Sequence, residues 1–201
     1  GIISKLEGDG DFRSDECVKL LKQSGVLVTN PPFSLFRELY ELIIQNGKDF
    51  ILLETLQVMT YKTLFKDIKE SKAFIRGSPK KVEFLNPLGG LESFGNIMWY
   101  TSLEGGAVHR ELEKSYYGDE NFYEKYDDTD VINVDRVKDI PKDYYGVMGV
   151  PISFLKYMYG SDFEIVELEL GECNISGLTC PYIEGKKKYK RLLIQRKKKD
   201  E

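Results

Sequence analysis

The sequence predicts an α/β fold, and three observations predict it. Over residues 1 to about 75, short apolar runs alternate with stretches whose apolar residues recur at helical spacing, the pattern of parallel strands joined by helices. One of these runs, Val26-Leu27-Val28, is continuous rather than alternating, as a strand buried on both faces requires. Beyond that point the pattern changes to short strands and glycine-rich turns, which predicts a C-terminal α+β extension.

The elements follow in order. Ile2 and Ile3 open a strand-like lead into Gly8-Asp9-Gly10-Asp11-Phe12, with Asp11 and Phe12 at its end. Ser14 stands where a helix needs a cap; the helix runs through Leu21 on an apolar face of Cys17, Val18, Leu20 and Leu21, and Gly25 ends it. Val26 to Val28 then empties into Asn30-Pro31-Pro32-Phe33, where the prolines stop the strand. Ser34 is the expected cap of a second helix, built on Leu35, Leu39, Leu42 and Ile43 and closed near Asn46-Gly47. Phe50 to Leu53 make the next buried strand. Tyr61 to Lys72 read as an amphipathic helix with Leu64, Phe65 and Ile68 inward. Val82-Glu83-Phe84 and Asn96 to Tyr100 read as antiparallel partners joined through Pro87-Leu88-Gly89-Gly90, finishing the sheet edge. Gly105 to about Asp130 is polar and tyrosine-rich, a surface excursion, and strands return at Phe163 to Leu170 and Tyr189 to Gln195. The expected organisation is two regions, 1–104 and 105–201, with no internal repeat.

Composition narrows the function. With 201 residues, 41% of them apolar, the chain has enough hydrophobic material for a sizeable core. Its net charge of −4 gives no overall drive toward nucleic acid and leaves any such binding to a local basic surface. Cys17, Cys173 and Cys180 are odd in number and lack CxxC spacing, which argues against a disulfide framework and a structural zinc, so no metal is expected and a reducing cytoplasm is. No apolar run approaches the ~20 residues of a spanning helix, so no membrane partner is expected.

The Asn30-Pro31-Pro32-Phe33 turn is the chemical signal. It follows a predicted buried strand and so lies at the carboxyl edge of the sheet, where open α/β sheets bind ligands. Methylating an amine conjugated to an aromatic ring is hard because the nitrogen lone pair is delocalised, and acceptors that favour a pyramidal nitrogen free it. The Asn30 side-chain oxygen is one such acceptor. The Pro31 carbonyl is the other, because two prolines fix the backbone and bring no competing amide hydrogens. Phe33 is placed to stack on a base, and a duplex substrate has to extrude its adenine to reach the pocket. The plain alternative is that the tetrapeptide is a strand-to-helix turn and nothing more. Upstream, Asp11 and Phe12, with Asp9 beside them, form the second half of the signal: an acidic acceptor for a cofactor adenine and an aromatic ring against it. A calcium loop is the competing reading of Gly8 to Asp11, but no Glu follows at the required spacing.

Taken with three further stretches, these residues resemble the EcoRI-type adenine-specific DNA modification methylases over nearly the whole chain. The stretches are Leu6 to Ser14, Val28 to Arg37, Phe94 to Thr101 and Gly146 to Ile152. The resemblance implies methyl transfer from S-adenosylmethionine to N6 of an adenine within a specific double-stranded DNA sequence. It implies a Rossmann-like methyltransferase fold, with the catalytic motif on Asn30 to Phe33, the catalytic core over 1–104 and DNA recognition over 105–201. Members of this family carry an upstream segment with the first strand and the loop for the methionine part of the cofactor, and this sequence starts after it. The fold is therefore expected to be incomplete at its N-terminus, and the chain alone to bind S-adenosylmethionine weakly. A non-catalytic DNA-binding remnant, or one piece of a split enzyme, is the competing function. Methyltransferases of RNA bases and of glutamine side chains share the tetrapeptide.

Further residues bear on the substrate side. His109, the only histidine, lies in a polar stretch and reads as solvated. Trp99 and Tyr100 sit in an apolar strand where core packing is the stronger reading, although the resemblance puts this segment beside the target pocket. Lys186, Lys187, Lys188, Lys190, Arg191 and the Arg196 to Lys199 run make a basic segment interleaved with Tyr189, suited to DNA phosphates. A solvated tail is the competing reading; the alternation over Tyr189 to Gln195, one apolar and one basic face, favours a strand at the DNA cleft.

Overall fold

The computed structural model describes residues 3–77, 82–85, 88–106, 108–127, 129–168 and 175–197. The chain divides into two compact units, Gly1–Gly105 and Gly106–Glu201. Unit 1 contains helices α1 (Asp15–Gln23), α2 (Phe36–Gln45) and α3 (Lys62–Lys69), with strands β1 (Val26–Thr29), β2 (Asp49–Thr55), β3 (Phe74–Arg76), β4 (Val82–Leu85), β5 (Leu91–Phe94) and β6 (Ile97–Thr101). Its four-stranded sheet runs β1-β2-β6-β3, with β1 and β2 parallel and β6 antiparallel to both of its neighbours.

Helix α1 begins as expected. The Ser14 hydroxyl accepts from the Cys17 amide, Asp15 and Glu16 occupy the first turn, and Lys22 lies in the last, each matching the helix dipole. Glu16 does more than complement the dipole: its carboxylate accepts from the amides of Glu7 and Gly8 at 2.9 and 3.0 Å and ties the preceding segment to the helix. That segment is not the expected strand. Asp9 accepts from the Asp11 amide, Asp11 accepts from the Arg13 amide, and Gly10 sits at φ +84°, so local turns satisfy groups that a strand would offer to a neighbour.

Strand β1 is correctly placed but not buried on both faces. Leu27 and Thr29 turn inward, whereas Val26 and Val28 are 40% and 64% exposed, because no element among the described residues covers that side. Strand β2 alternates, with Phe50, Leu52 and Glu54 fully buried on the same side as Leu27 and Thr29 by register. Helix α2 packs there through Phe36, Leu39, Tyr40 and Ile43. Ser34 does not cap it: Phe33–Leu35 form a single 3₁₀ turn, and α2 starts at Phe36 with no side-chain cap. Tyr40 meets Phe50 edge to face, and its hydroxyl donates to Asp67 of α3 at 2.7 Å. Helix α3 buries the expected Leu64, Phe65 and Ile68 but ends at Lys69.

The pairing of β6 corrects the sequence reading. Its partners are β2 and β3, while β4 pairs with β5 in a separate hairpin. Ile97, Met98, Tyr100 and Thr101 are buried, which favours a central position, whereas Leu85 and Leu91 of the hairpin are 75% and 66% exposed. Pro87 lies outside the described residues.

Unit 2 holds β7 (Ile132–Asn133), β8 (Met148–Pro151), β9 (Phe163–Ile165), β10 (Leu178–Thr179), β11 (Tyr182–Ile183), β12 (Lys186–Lys187) and β13 (Arg191–Arg196). Strand β13 is central, paired with β8, β9 and β10, and β7 adds to β8. The tyrosine-rich stretch before β7 is not wholly a surface excursion: Tyr123 and Tyr126 are buried, and the Tyr123 hydroxyl donates to the Asp139 carbonyl at 3.0 Å. The strand expected over Phe163 to Leu170 ends at Ile165, and Leu170 lies outside the described residues.

Tyr126 packs against Val131, Ile183 and Leu193, and a Cβ added at Gly149 would collide with its hydroxyl oxygen. That hydroxyl is buried without a hydrogen-bond partner among the described residues. Gly149→Ala should therefore cost about 1–3 kcal/mol through overpacking. Tyr126→Phe should leave stability unchanged or raise it by about 1 kcal/mol, since it removes an unsatisfied polar group. Urea unfolding of both variants checks this, and a marked loss in Tyr126→Phe would show that the hydroxyl has a partner.

Candidate active site

The Asn30 turn lies where β1 ends. Asn30 is exposed, Pro31 is buried, Pro32 is exposed at φ −59° and ψ 124°, and Phe33 is half-buried. The Pro32 carbonyl accepts from the Leu35 amide at 2.9 Å and starts the 3₁₀ turn. Among the described residues, the Asn30 side chain makes no hydrogen bond and the Pro31 carbonyl accepts none. Two acceptors on a proline-stiffened backbone are thus unclaimed by the described residues. Phe33 meets Phe84 of β4 edge to face at 6.0 Å, a contact the sequence did not reveal.

Beside the turn lies a cavity of about 640 Å³, within the range of small-molecule sites. Pro31 and Pro32 line it on one side and Asp9, Asp11 and Phe12 on another, so the structure brings the two halves of the sequence signal to one cavity. Leu21, Leu27 and Leu39 supply apolar wall. An apolar slot with carboxylates and an aromatic ring suits the adenosine part of a nucleoside cofactor. Hydrogen bonds from the Arg13 side chain and backbone pull the Asp11 carboxyl down to about 2, so at neutral pH it is ionised and acts only as an acceptor. Both of its oxygens already accept from Arg13, and a ligand amine reaching Asp11 shares the carboxylate with that guanidinium. Arg13 also lies over the Phe12 ring at 5.5 Å and pairs with Glu38.

On the proposed substrate side the structure separates the residues. Tyr100 is fully buried, 6.4 Å from Phe36, with its hydroxyl donating to the Thr55 carbonyl at 3.0 Å, so it belongs to the core and does not form a base wall. Its neighbour Trp99 points to the other face and is 37% exposed. Lys186 and Lys187 are exposed on β12, and Lys188 pairs with Glu124 at 3.3 Å. Arg191 is 8% exposed and donates to Asp135 at 2.7 Å and to Asn133 at 3.3 Å, so it holds unit 2 together and offers no basic face. The reason is topological: β13 is flanked by strands on both sides, and Leu192, Leu193 and Ile194 are all buried. Arg191→Ala should lower stability by about 1–2 kcal/mol and leave DNA affinity of the folded protein unchanged. Paired urea-unfolding and DNA-binding measurements separate the two effects. His109 is exposed, as expected.

Glu54 was missed. It is fully buried on β2, two residues beyond Leu52, the partner of Thr29. One oxygen accepts from the Thr55 amide at 2.7 Å and the other has no partner among the described residues. Burial, only partly offset by that hydrogen bond, pushes its carboxyl up to about 7. The signal for it was a lone acidic residue within the apolar run Phe50 to Thr55.

The arrangement is a mixed α/β core with a cavity of about 640 Å³ beside an exposed Asn-Pro-Pro-Phe turn. The family model described as adenine-specific methyltransferase EcoRI matches residues 2–88 and 80–200, and the chain belongs to that family. It is 40% identical to the Type II methyltransferase M.EcoRI of Escherichia coli, with 94% of this chain and 65% of that protein aligned. It is 36% identical to the Type II methyltransferase M.MpnI of Mycoplasma pneumoniae, over 81% of this chain and 57% of that protein. To the Type II methyltransferase M.MgeORF184P of Mycoplasma genitalium it is 34% identical, over 82% of this chain and 58% of that protein. The chain thus spans between 57% and 65% of the length of these relatives. No solved structure matches it. Among the described residues no helix is long and apolar enough to cross a membrane, and no cluster of potential metal ligands occurs.

Proposed function

We propose that this chain carries the catalytic turn of a DNA methyltransferase that modifies N6 of adenine in a specific duplex sequence, with S-adenosylmethionine as methyl donor. The observation that carries the reading is the pair of unclaimed acceptors, the Asn30 side-chain oxygen and the Pro31 carbonyl, on one rigid turn beside a nucleoside-sized cavity. When bound, S-adenosylmethionine supplies a methyl group activated by its sulfonium centre. Asp9, Asp11, Phe12 and the leucine wall hold the adenosine part, in a Rossmann-like fold that the parallel β1–α2–β2 unit supports. Asn30 and Pro31 accept the two hydrogens of an extruded adenine amine, hold the nitrogen pyramidal, and direct its lone pair at the methyl group. Phe33, fixed edgewise by Phe84, offers the base an aromatic contact that offsets part of the unstacking cost. Residues 1–104 form the catalytic core in this reading, with Trp99 as a DNA contact of that core, and 105–201 serve recognition, with Lys186 and Lys187 as DNA contacts of their own unit.

The test is nucleoside analysis of duplex DNA incubated with S-adenosylmethionine and the polypeptide in its full natural length. The expected product is N6-methyldeoxyadenosine. Methyl label in cytosine, in RNA or in protein would overturn the reading, and no transfer at all would leave the non-catalytic alternative.

A further inference from the structure

Unit 2 contains a second cavity, of about 380 Å³, bounded by the segment around Arg110, the turn at Tyr157, the loop at Ser161–Asp162 and the end of β13. Its lining holds three fixed cations, Arg110, Lys142 and Arg196, against one carboxylate, Asp162. Asp162 is matched to Arg196 at 3.1 Å. Neither Arg110 nor Lys142 has a carboxylate within ion-pair distance among the described residues, and both are exposed. In a chain of net charge −4, two cations outside any ion pair among the described residues, Lys142 with Asp143 beside it, face one recess and concentrate positive potential there.

The recess is also built to hold its cations in place. The Arg196 side chain is 13% exposed, its guanidinium lies over the Phe163 ring at 4.7 Å, and its Nε is buried with no partner among the described residues. Arg110 lies 5.8 Å from the centre of the Tyr157 ring, and Lys156 covers the same ring at 4.8 Å. Burial opposes ionisation of the Tyr157 hydroxyl, yet hydrogen bonds from Lys156 and Arg110 outweigh it and set its pKa below the usual tyrosine value. The positive field therefore reaches the cavity wall.

We propose that this cavity seats a backbone phosphate of duplex DNA, gripped by Arg110, Lys142 and Arg196. The proposal rests on the DNA-modifying reading above and moves the main phosphate contact away from the Lys186–Lys188 hairpin, where Lys188 is already paired. Tyr157 and Phe163 also line the recess, but Arg110 and Lys156 lie over the first ring and Arg196 over the second, so an incoming group meets charge there, which fits a diester oxygen pair better than a base. Arg110 supplies a planar fork and Lys142 a point charge.

The experiment is fluorescence anisotropy of a labelled mixed-sequence duplex with the whole chain over a salt series. Arg110→Ala and Lys142→Glu should each weaken binding about tenfold and flatten the slope of log K against log salt by about 0.9. Arg110→Lys should recover the slope but not the full affinity, because the charge returns without the fork. Lys66→Ala on α3, outside the cavity, serves as reference and should change neither quantity. If the parent chain binds duplex and both cavity variants, with parental urea midpoints, bind it with parental affinity and slope, the cavity is excluded and the DNA reading stands. If the parent chain binds no duplex at any salt, the cavity proposal falls together with that reading.

Discussion

Asn30→Ala is expected to slow methyl transfer by about 10²–10³-fold, the usual consequence of removing one aligned hydrogen-bonding group from a reacting centre. The mechanism is specific. Asn30 is exposed and makes no hydrogen bond within the described residues, so its removal breaks nothing that holds β1 or α2 in place. The loss should therefore fall on turnover, while binding of S-adenosylmethionine, measured by calorimetry, stays at the parental level because Asn30 does not line the cavity. Asn30→Asp keeps an acceptor oxygen at the same position and should retain more activity than the alanine variant. Phe33→Ala should raise KM for DNA more than it lowers kcat, since its contribution is contact with the extruded base. Full activity in Asn30→Ala would remove the proposed role of the turn.

The second large effect is a dependence of stability on pH that originates at Glu54. Its carboxyl is pushed from an ordinary 4.5 up to about 7 by burial in the sheet face beneath α2. Between those two values the folded chain keeps a proton that the unfolded chain has lost, so stability falls as pH rises through that window. The contribution is complete below pH 4.5 and gone above about 7. At about 1.4 kcal/mol for each pKa unit, its size is on the order of 3–4 kcal/mol. Glu54→Gln removes the titration and keeps the shape. Urea unfolding at pH 5 and pH 8 should show a drop for the parent chain that is smaller in the variant, and the variant should be the more stable of the two at pH 8. Equal drops in both would mean that Glu54 is ionised in the folded chain at no cost. Carboxylates with depressed values, such as Asp11 and Glu16, titrate at the acid end and are shared by both proteins, so the comparison isolates Glu54.

The interior position of Glu54 also bears on the turn. It lies at the rim of β2 on the side where Thr29 and the cavity-lining Leu27 face inward. An ionised carboxylate there would draw water toward the buried Tyr100, which packs near Phe36.

What the sequence determined by itself was local. Ser14 caps α1 because its hydroxyl reaches an amide three residues on, and the stripe of Leu39 and Ile43 sets the inner face of α2 through helical periodicity alone. The Asn30 turn was legible for the same reason: two prolines and an amide specify their geometry without help from the rest of the chain. Tertiary structure decided which strand lies beside which and which charge meets which. Nothing in Ile97 to Thr101 says that β2 and β3, rather than Val82 to Leu85, will flank it, because burial on both faces is satisfied only once all strands compete for the centre. Tyr123 and Tyr126 looked like surface residues by composition, yet unit 2 uses them as core. Arg191 looked like a DNA contact and is a buried strut, while Arg110, Lys142 and Arg196, far apart in sequence, share one cavity. Caps, turns and helical stripes depend on neighbours a few residues away; sheet order and charge pairing depend on contacts between distant segments, whose closure costs only slowly more entropy with separation and so leaves many pairings open until packing selects one.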